Sequence, residues 1–400
     1  MRNLILPVLL MFLTVIVSGQ KPVDHLLKAK ALTESGSYDE AIRVLSDVIG
    51  PGSESFLLTG RAEAYMAKGD LSAAINDLNS ANIVLPGSGE YGLSRIYAIR
   101  RDVATSLYHL ERNIKSPYRK SEKEIMLDPA FSAVENSAAW RQFWRQEWYS
   151  GHEKGLSEIE YYVSRGNREE ARAILSGLMK DYPEYDDNIY AGALISMAGG
   201  NYAQASAALA PLTAKFPSNE KYLRLYATTQ EELRNPSGAS VTYTRLMDLN
   251  IPDAELLLLR ADCYRKTGET TRSRADVSKY LELYPGNKKA LRLAGMIESA
   301  AGDNLRALEY YSKNVQLHPG DPDCFIDRAN AYFVSRSWDW AIRDYGMALD
   351  LKPDNPEAWL NKGISLLNSG KREDACHDLR RAFRLGSKQA TEYISKNCIR

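Results

Sequence analysis

Chemistry in this 400-residue chain would have to come from five histidines (His25, His109, His152, His318, His377), four cysteines (Cys263, Cys324, Cys376, Cys398) or carboxylate pairs such as Glu231–Glu232. Their spacing points away from catalysis. No histidine lies in an HExxH pattern, and no CxxC or Cys/His cluster has metal-ligand spacing. There is no G-x-S-x-G elbow and no phosphate-cradling glycine loop. His318 precedes Pro319 at a turn and His377 follows Cys376; neither has evident partners to orient and activate it. Glu231–Glu232 lies on an amphipathic stretch whose solvated face accounts for it. The expectation is no enzyme, no catalytic residue, no metal and no cofactor.

Recognition chemistry is more promising. Three of the six tryptophans recur every fourth residue in WRQFWRQEWY, at Trp140, Trp144 and Trp148, with Phe143 beside them. On a helix over about 137–149 they would form one stripe. Three uses fit: packing between segments, a partner surface, or insertion at a membrane interface. Aromatic stripes at helical spacing mostly bury in cores, which favours packing; exposed Trp is enriched at binding hot spots. Two arginines and Glu147 supply little of the basic face that membrane-surface helices carry.

The bulk properties narrow the setting. Formal net charge is zero, with 51 basic and 51 acidic side chains, so there is no excess charge to hold a nucleic-acid backbone. Residues 1–19 combine Arg2, an apolar run from Leu4 to Val17 and the small-residue ending Val17-Ser-Gly19. This is the three-part pattern of a secretory signal, with cleavage expected after Gly19. The 14-residue run is short for a spanning helix, which needs ~20 residues; an uncleaved anchor is the alternative. Cleavage removes Arg2, leaving 50 basic against 51 acidic side chains and a charge of −1. No later segment is apolar enough for direct membrane insertion.

What must position all these residues is a repeat. Small residues recur 34 apart at Ala171, Ala205, Ala239, Ser273, Ala307, Ala341 and Ala375. Six of them are followed twelve or thirteen residues later by proline: Pro183, Pro217, Pro252, Pro285, Pro319 and Pro353. Upstream of each turn lies a second helical pattern, as in Ala261-Asp-Cys-Tyr264, Ala329-Asn-Ala-Tyr332 and Ala62-Glu-Ala-Tyr65. Each unit therefore reads as helix A, a turn at Gly or Asn, helix B and a proline stop. Three earlier units, with Ala41, Ala74 and Ser106 as small residues, precede a break in the period between about 121 and 151.

These features resemble the tetratricopeptide repeat. The last full unit matches best, with Trp359, Gly363, Leu366, Gly370, Ala375, Leu379 and Ala382; only Trp359 carries the family's Trp, and the sixth unit has Asn-Pro-Ser at its turn. Asp128-Pro-Ala-Phe131 is similar to a DPxF segment that terminates some such arrays. The resemblance implies an all-α, right-handed solenoid of about ten units. Its divisions would be a signal (1–19), units one to three (20–120), a linking terminator segment (121–151), units four to ten (152–386) and a capping helix (387–400).

The resemblance also implies a concave face lined by helix A that engages partner segments. Its positions here are Tyr190, Leu194, Met197, Arg224, Glu231, Asp262, Arg265, Arg292, Met296, Asn330, Phe333, Leu360 and Ile364. A subclass clamps a partner's C-terminal carboxylate with one Lys and two Asn; Asn330 and Asn361 match the Asn positions, but Ile326 replaces the Lys, so that recognition is not expected. Cys376 lies on helix B of the last unit, and Cys398 on a final helix expected over about 388–397 that folds back as a cap. A disulfide between them closes a 22-residue loop, worth on the order of 3 kcal/mol. Cys263 and Cys324 lie a whole unit apart, too far to pair, and are expected free.

Together these features point to a non-catalytic scaffold that binds a protein partner and no nucleic acid. The expected setting is the periplasm or envelope of a Gram-negative bacterium. A chaperone-like or co-chaperone protein of a secretory compartment is the second reading.

Overall fold

The computed structural model describes residues 21–398; the expected leader and its cleavage position lie outside them. The chain forms two compact units, Met1–Gln146 and Glu147–Arg400. In the first, three helix pairs follow one another: α1 (Pro22–Glu34) with α2 (Tyr38–Ser46), α3 (Ser55–Lys68) with α4 (Leu71–Val84), and α5 (Glu90–Ile99) with α6 (Val103–Ile114). A short α7 (Glu122–Leu127), a 3-10 turn at Pro129–Phe131 and α8 (Ala138–Phe143) complete it.

The second unit holds seven pairs. They are α9 (Gly151–Ser164) with α10 (Arg168–Asp181), α11 (Asp187–Ala198) with α12 (Tyr202–Lys215), α13 (Glu220–Glu232) with α14 (Pro236–Asp248), and α15 (Glu255–Thr267) with α16 (Thr270–Leu283). Then come α17 (Lys288–Ala300) with α18 (Asn304–Leu317), α19 (Pro322–Val334) with α20 (Trp338–Leu351), and α21 (Pro356–Asn368) with α22 (Arg372–Arg384); α23 (Ala390–Asn397) follows. All elements among the described residues are helical.

Close approach of helix A to helix B sets the period. All ten small residues on the B helices, from Ala41 to Ala375, have 0% exposure. Twelve residues earlier, helix A offers a small partner in nine pairs: Ala29, Ala62, Ser94, Ala193, Ala227, Ala261, Gly295, Ala329 and Gly363, all buried. Only Ile159, opposite Ala171, breaks the rule. The contact is tight enough for side chain to reach backbone. Ser94 and Ser106 each donate a hydroxyl to the other's carbonyl, at 2.9 and 3.0 Å, and Ser273 donates to Ala261 O at 2.6 Å. A Cβ on Gly363 would lie 2.8 Å from Leu379.

The turns keep the same register. One residue of every A–B turn has left-handed backbone: a glycine in seven pairs, and Arg101 (φ 61°), Arg234 (φ 56°) and Arg336 (φ 58°) in the others. From Gly166 to Gly370 these positions are 34 apart, so the sixth unit does not slip at Asn-Pro-Ser. There Arg234 makes the turn, Asn235 Oδ1 caps Gly238 N at 3.0 Å, and Pro236 opens α14.

A second tie was not read from the sequence. Arg61 forks onto Asp77, Arg260 onto Asp276 and Arg328 onto Asp344, each sixteen residues apart and each with both carboxylate oxygens at 2.6–2.9 Å. Arg61 and Arg260 also donate to Ser46 and Thr244 on the preceding B helix. One guanidinium thus joins three helices. Lys362 and Asp378 repeat the pairing with a single contact at 3.1 Å. The pairs are part-buried, so removing one partner should cost less than the about 3–5 kcal/mol of a fully buried pair.

The linking segment departs from expectation. The helix over 137–149 does not form: α8 ends at Phe143, Trp144 is its C-cap, and Trp148 lies beyond it. Bulky aromatics are poor helix extenders, and the chain tightens through Arg145 N–Gln142 O and Gln146 N–Phe143 O bonds. Ser150 and Glu153 then form a capping box that starts α9 afresh. Trp140 and Phe143 are buried. Phe131, Trp140 and Trp144 form an aromatic run with centroids 5.2 and 5.8 Å apart. Asp128 does more than cap Ala130 N: it accepts from Tyr91 Oη at 2.8 Å and pairs with Arg95 at 3.1 Å. At the other end of the chain, Cys376 and Cys398 are joined by a disulfide with Cα atoms 5.6 Å apart, and Cys263 and Cys324 are free and buried.

Two substitutions test this framework. Ala341→Leu should overpack the α19/α20 contact and destabilise by about 1–3 kcal/mol or more, seen as a lowered urea midpoint. Arg234→Gly should relieve the left-handed strain and stabilise by up to ~1 kcal/mol, seen as a raised urea midpoint; a fall would show that the Arg234 side chain, not its backbone, matters there.

Candidate partner-binding face

Helices A touch one another from pair to pair (α9 with α11, α11 with α13, α15 with α17, α17 with α19, α19 with α21), so their outward sides make a shared face in the second unit. The expected face residues divide into two groups. Tyr190, Leu360 and Ile364 are buried in the repeat core and are not presented on the face. The next A or B helix covers them: Tyr190 packs with Leu209 and Tyr222, and Leu360 and Ile364 with Leu379 and Ala390. Leu194, Met197, Met296 and Phe333 are half-buried, Phe333 with its ring edge-on to Trp338 at 5.4 Å. Arg224, Asp262, Arg265, Arg292 and Asn330 keep polar groups at the surface.

Those polar groups form a series of ion pairs: Arg292–Asp327 joins consecutive A helices, Lys221–Glu160 reaches from α13 back to α9, Arg224–Asp253 reaches the loop before α15, and the Asp262 pairs lie within α15. Lys221 reaches Glu160 at 2.9 Å and lies 4.2 Å above the Tyr190 ring. Arg224 holds Glu220 at 2.7 Å and Asp253 at 2.8 Å. Asp262 binds Arg265 at 2.8 Å and Lys266 at 2.7 Å; these cations outweigh its burial and hold its carboxyl below the usual range. Arg292 reaches Asp327 at 2.9 Å. Asn330 Oδ1 accepts from Tyr345 Oη at 2.6 Å. Glu231 receives Tyr243 Oη at 2.9 Å and the Cys263 thiol at 3.6 Å; burial and that carboxylate push the thiol up to about 12.

Glu160, Lys221, Asp253 and Asp327 belong to this series but were not singled out in the sequence. Their only sequence signal is a charge on or next to an A helix, which acquires meaning when the neighbouring helix is in place. Val334, 71% exposed at the end of α19, is the most open apolar residue on this side.

Four of the five histidines lie elsewhere in contacts of their own. His109 donates to Glu90 at 2.7 Å, His152 meets Asn188 at 3.2 Å, His318 meets Gly286 O at 3.0 Å and His377 meets Asp378 at 3.1 Å. Among the described residues no group of three or more His, Cys, Asp or Glu is placed to hold a metal ion. No helix among them is long and apolar enough to cross a membrane. Chemically, the face offers exchangeable charges and half-buried apolar side chains, which suit a polypeptide.

Asp327 carries a pH signature. Burial pushes its carboxyl up to about 6 despite Arg292. The folded state then holds this proton more tightly than the unfolded one, so its contribution to stability falls as pH rises from about 4 to 6. Asp327→Asn should flatten stability across that window, compared by urea midpoints at pH 4.5 and 7.5. Parallel curves for the two proteins would rule the assignment out.

Tetratricopeptide repeat models match residues 162–228, 258–322 and 326–390. A tetratricopeptide repeat protein from Parabacteroides merdae has a similar fold, with a TM-score of 0.50 and 19% identity, over 61% of this chain and 97% of that one. Among curated relatives, the chain is 28% identical over 160 residues to the human protein O-mannosyl-transferase TMTC1, covering 38% of this chain and 18% of that protein. It is 23% identical over 261 residues to the chicken DnaJ homolog subfamily C member 3, covering 58% and 49%. The chain therefore spans less than half the length of these two relatives.

Proposed function

We propose, from the premise that this chain carries tetratricopeptide repeats, that it is a non-catalytic scaffold that holds a partner polypeptide along the A-helix face of its second unit. Tetratricopeptide repeat proteins bind protein partners, and the observation that carries the reading is the series of ion pairs that Arg224, Arg265, Lys266 and Arg292 make with their acidic mates. A partner's charged side chains can exchange into these pairs at little net cost, because the pairs are partly exposed. Val334, Phe333 and Met296 supply apolar contact beside them.

The leader-like residues 1–19 support export, and with it a place in a bacterial envelope assembly. The match to the chicken DnaJ homolog favours a second reading, a co-chaperone-like role in a secretory compartment.

A photo-crosslinker at Val334 or Lys266 should capture a partner polypeptide in native cells. The same group at Leu305, 78% exposed on helix B α18, should not. Arg292→Glu should reduce the capture while the fold is retained. Equal capture at Leu305, or recovery of the free chain alone, would sink the proposal. Cleavage after Gly19 is read directly from the N-terminus of the protein recovered.

A further inference from the structure

We propose that the Cys376–Cys398 bond is a reducible latch, opened by an external dithiol, that controls whether α23 covers the apolar edge of α21 and α22. The bond is reachable. A polar cleft of about 760 Å³ opens onto both sulfurs' residues and is lined by Lys371, Arg372, Glu373, Asp374, Arg380 and Asn397 among others. Cys398 is the more exposed of the two and Cys376 is nearly covered, so an attacking thiolate meets the Cys398 sulfur. Three cations face two carboxylates around the cleft, a balance that favours both the arriving thiolate and the departing one.

The exchange balances. One thiolate of the dithiol bonds to Cys398 Sγ, the S–S bond breaks and the electron pair leaves on Cys376 Sγ. The second dithiol sulfur then displaces Cys398 from the mixed disulfide. Two electrons and two protons pass to the chain, and the dithiol closes into its own disulfide. The remaining thiols do not compete: Cys263 and Cys324 are buried.

Little else holds α23 down. It has eight residues, fewer than the ~12–15 at which isolated helices become marginal. Of its side chains only Ala390 is fully buried, with Tyr393 and Ile394 half-buried. Arg372 donates to Asn397 O at 2.5 Å and Arg380 to Cys398 O at 3.4 Å. Beneath it lie Leu360, Ile364, Leu379 and Ala382. Undocking would return Leu360 and Ile364 to the A-helix side of the last pair. The latch itself does not depend on the partner reading above.

The test is hydrogen exchange on the full chain with and without millimolar dithiothreitol. On reduction, amides of α23 should lose protection on the order of a hundredfold, protection in α15–α20 should hold, and alkylation should mark Cys376 and Cys398. Cys376→Ser with Cys398→Ser should show the open pattern in either condition. Three results would overturn the proposal: a bond that resists the dithiol in the folded chain, unchanged protection of α23 after reduction, or loss of protection throughout the second unit.

Discussion

Everything in both units depends on how closely a B helix can approach its A helix. That distance is set where two small residues twelve apart face each other, and ten B helices place a fully buried Ala or Ser there. Once this contact is fixed, the remaining apolar residues of a pair are aimed outward and must be covered by the next pair. A single pair therefore cannot complete its own core, and stacking follows. The left-handed turn residue, a glycine or arginine, and the proline after every B helix but the last keep the count constant, so the contact recurs in phase.

The buried Arg–Asp forks work on top of this geometry. Their two carboxylate oxygens and two guanidinium nitrogens satisfy each other in a part-buried seam, and in Arg61 and Arg260 a third donor reaches the preceding B helix. The forks add direction to a contact that packing alone would leave free to slide.

The fold was legible because its determinants are local in number: small residues, glycines and prolines at constant spacing. The ion pairs of the face were less so. Arg224 and Arg292 were identified by position, but Asp253 and Asp327 become partners only through the neighbouring repeat. Tyr190, Leu360 and Ile364 occupy face positions by number yet are covered by the element that follows. The tryptophan segment misled in a different way. A four-residue spacing fits one helical stripe, but the helix stops after Phe143, and only the capping box at Ser150 and Glu153 marks the restart. Asp128 shows the same limit: its cap was readable, but its bonds to Tyr91 and Arg95 span more than thirty residues.

The forks are not evenly distributed. In the second unit they clamp α15 to α16 and α19 to α20, with the Lys362–Asp378 pair between α21 and α22. At the matching positions, α9–α14 carry Glu158 and Ile174, Gly192 and Ala208, and Tyr226 and Thr242, none of which can form such a pair. The A–B pairs of the second unit thus differ in this tie: α15/α16 and α19/α20 are clamped, α21/α22 have a single contact, and α9–α14 and α17/α18, with Ala294 and Tyr310 at the matching positions, lack it. Tension along the second unit would open the unclamped A–B seams before the clamped ones.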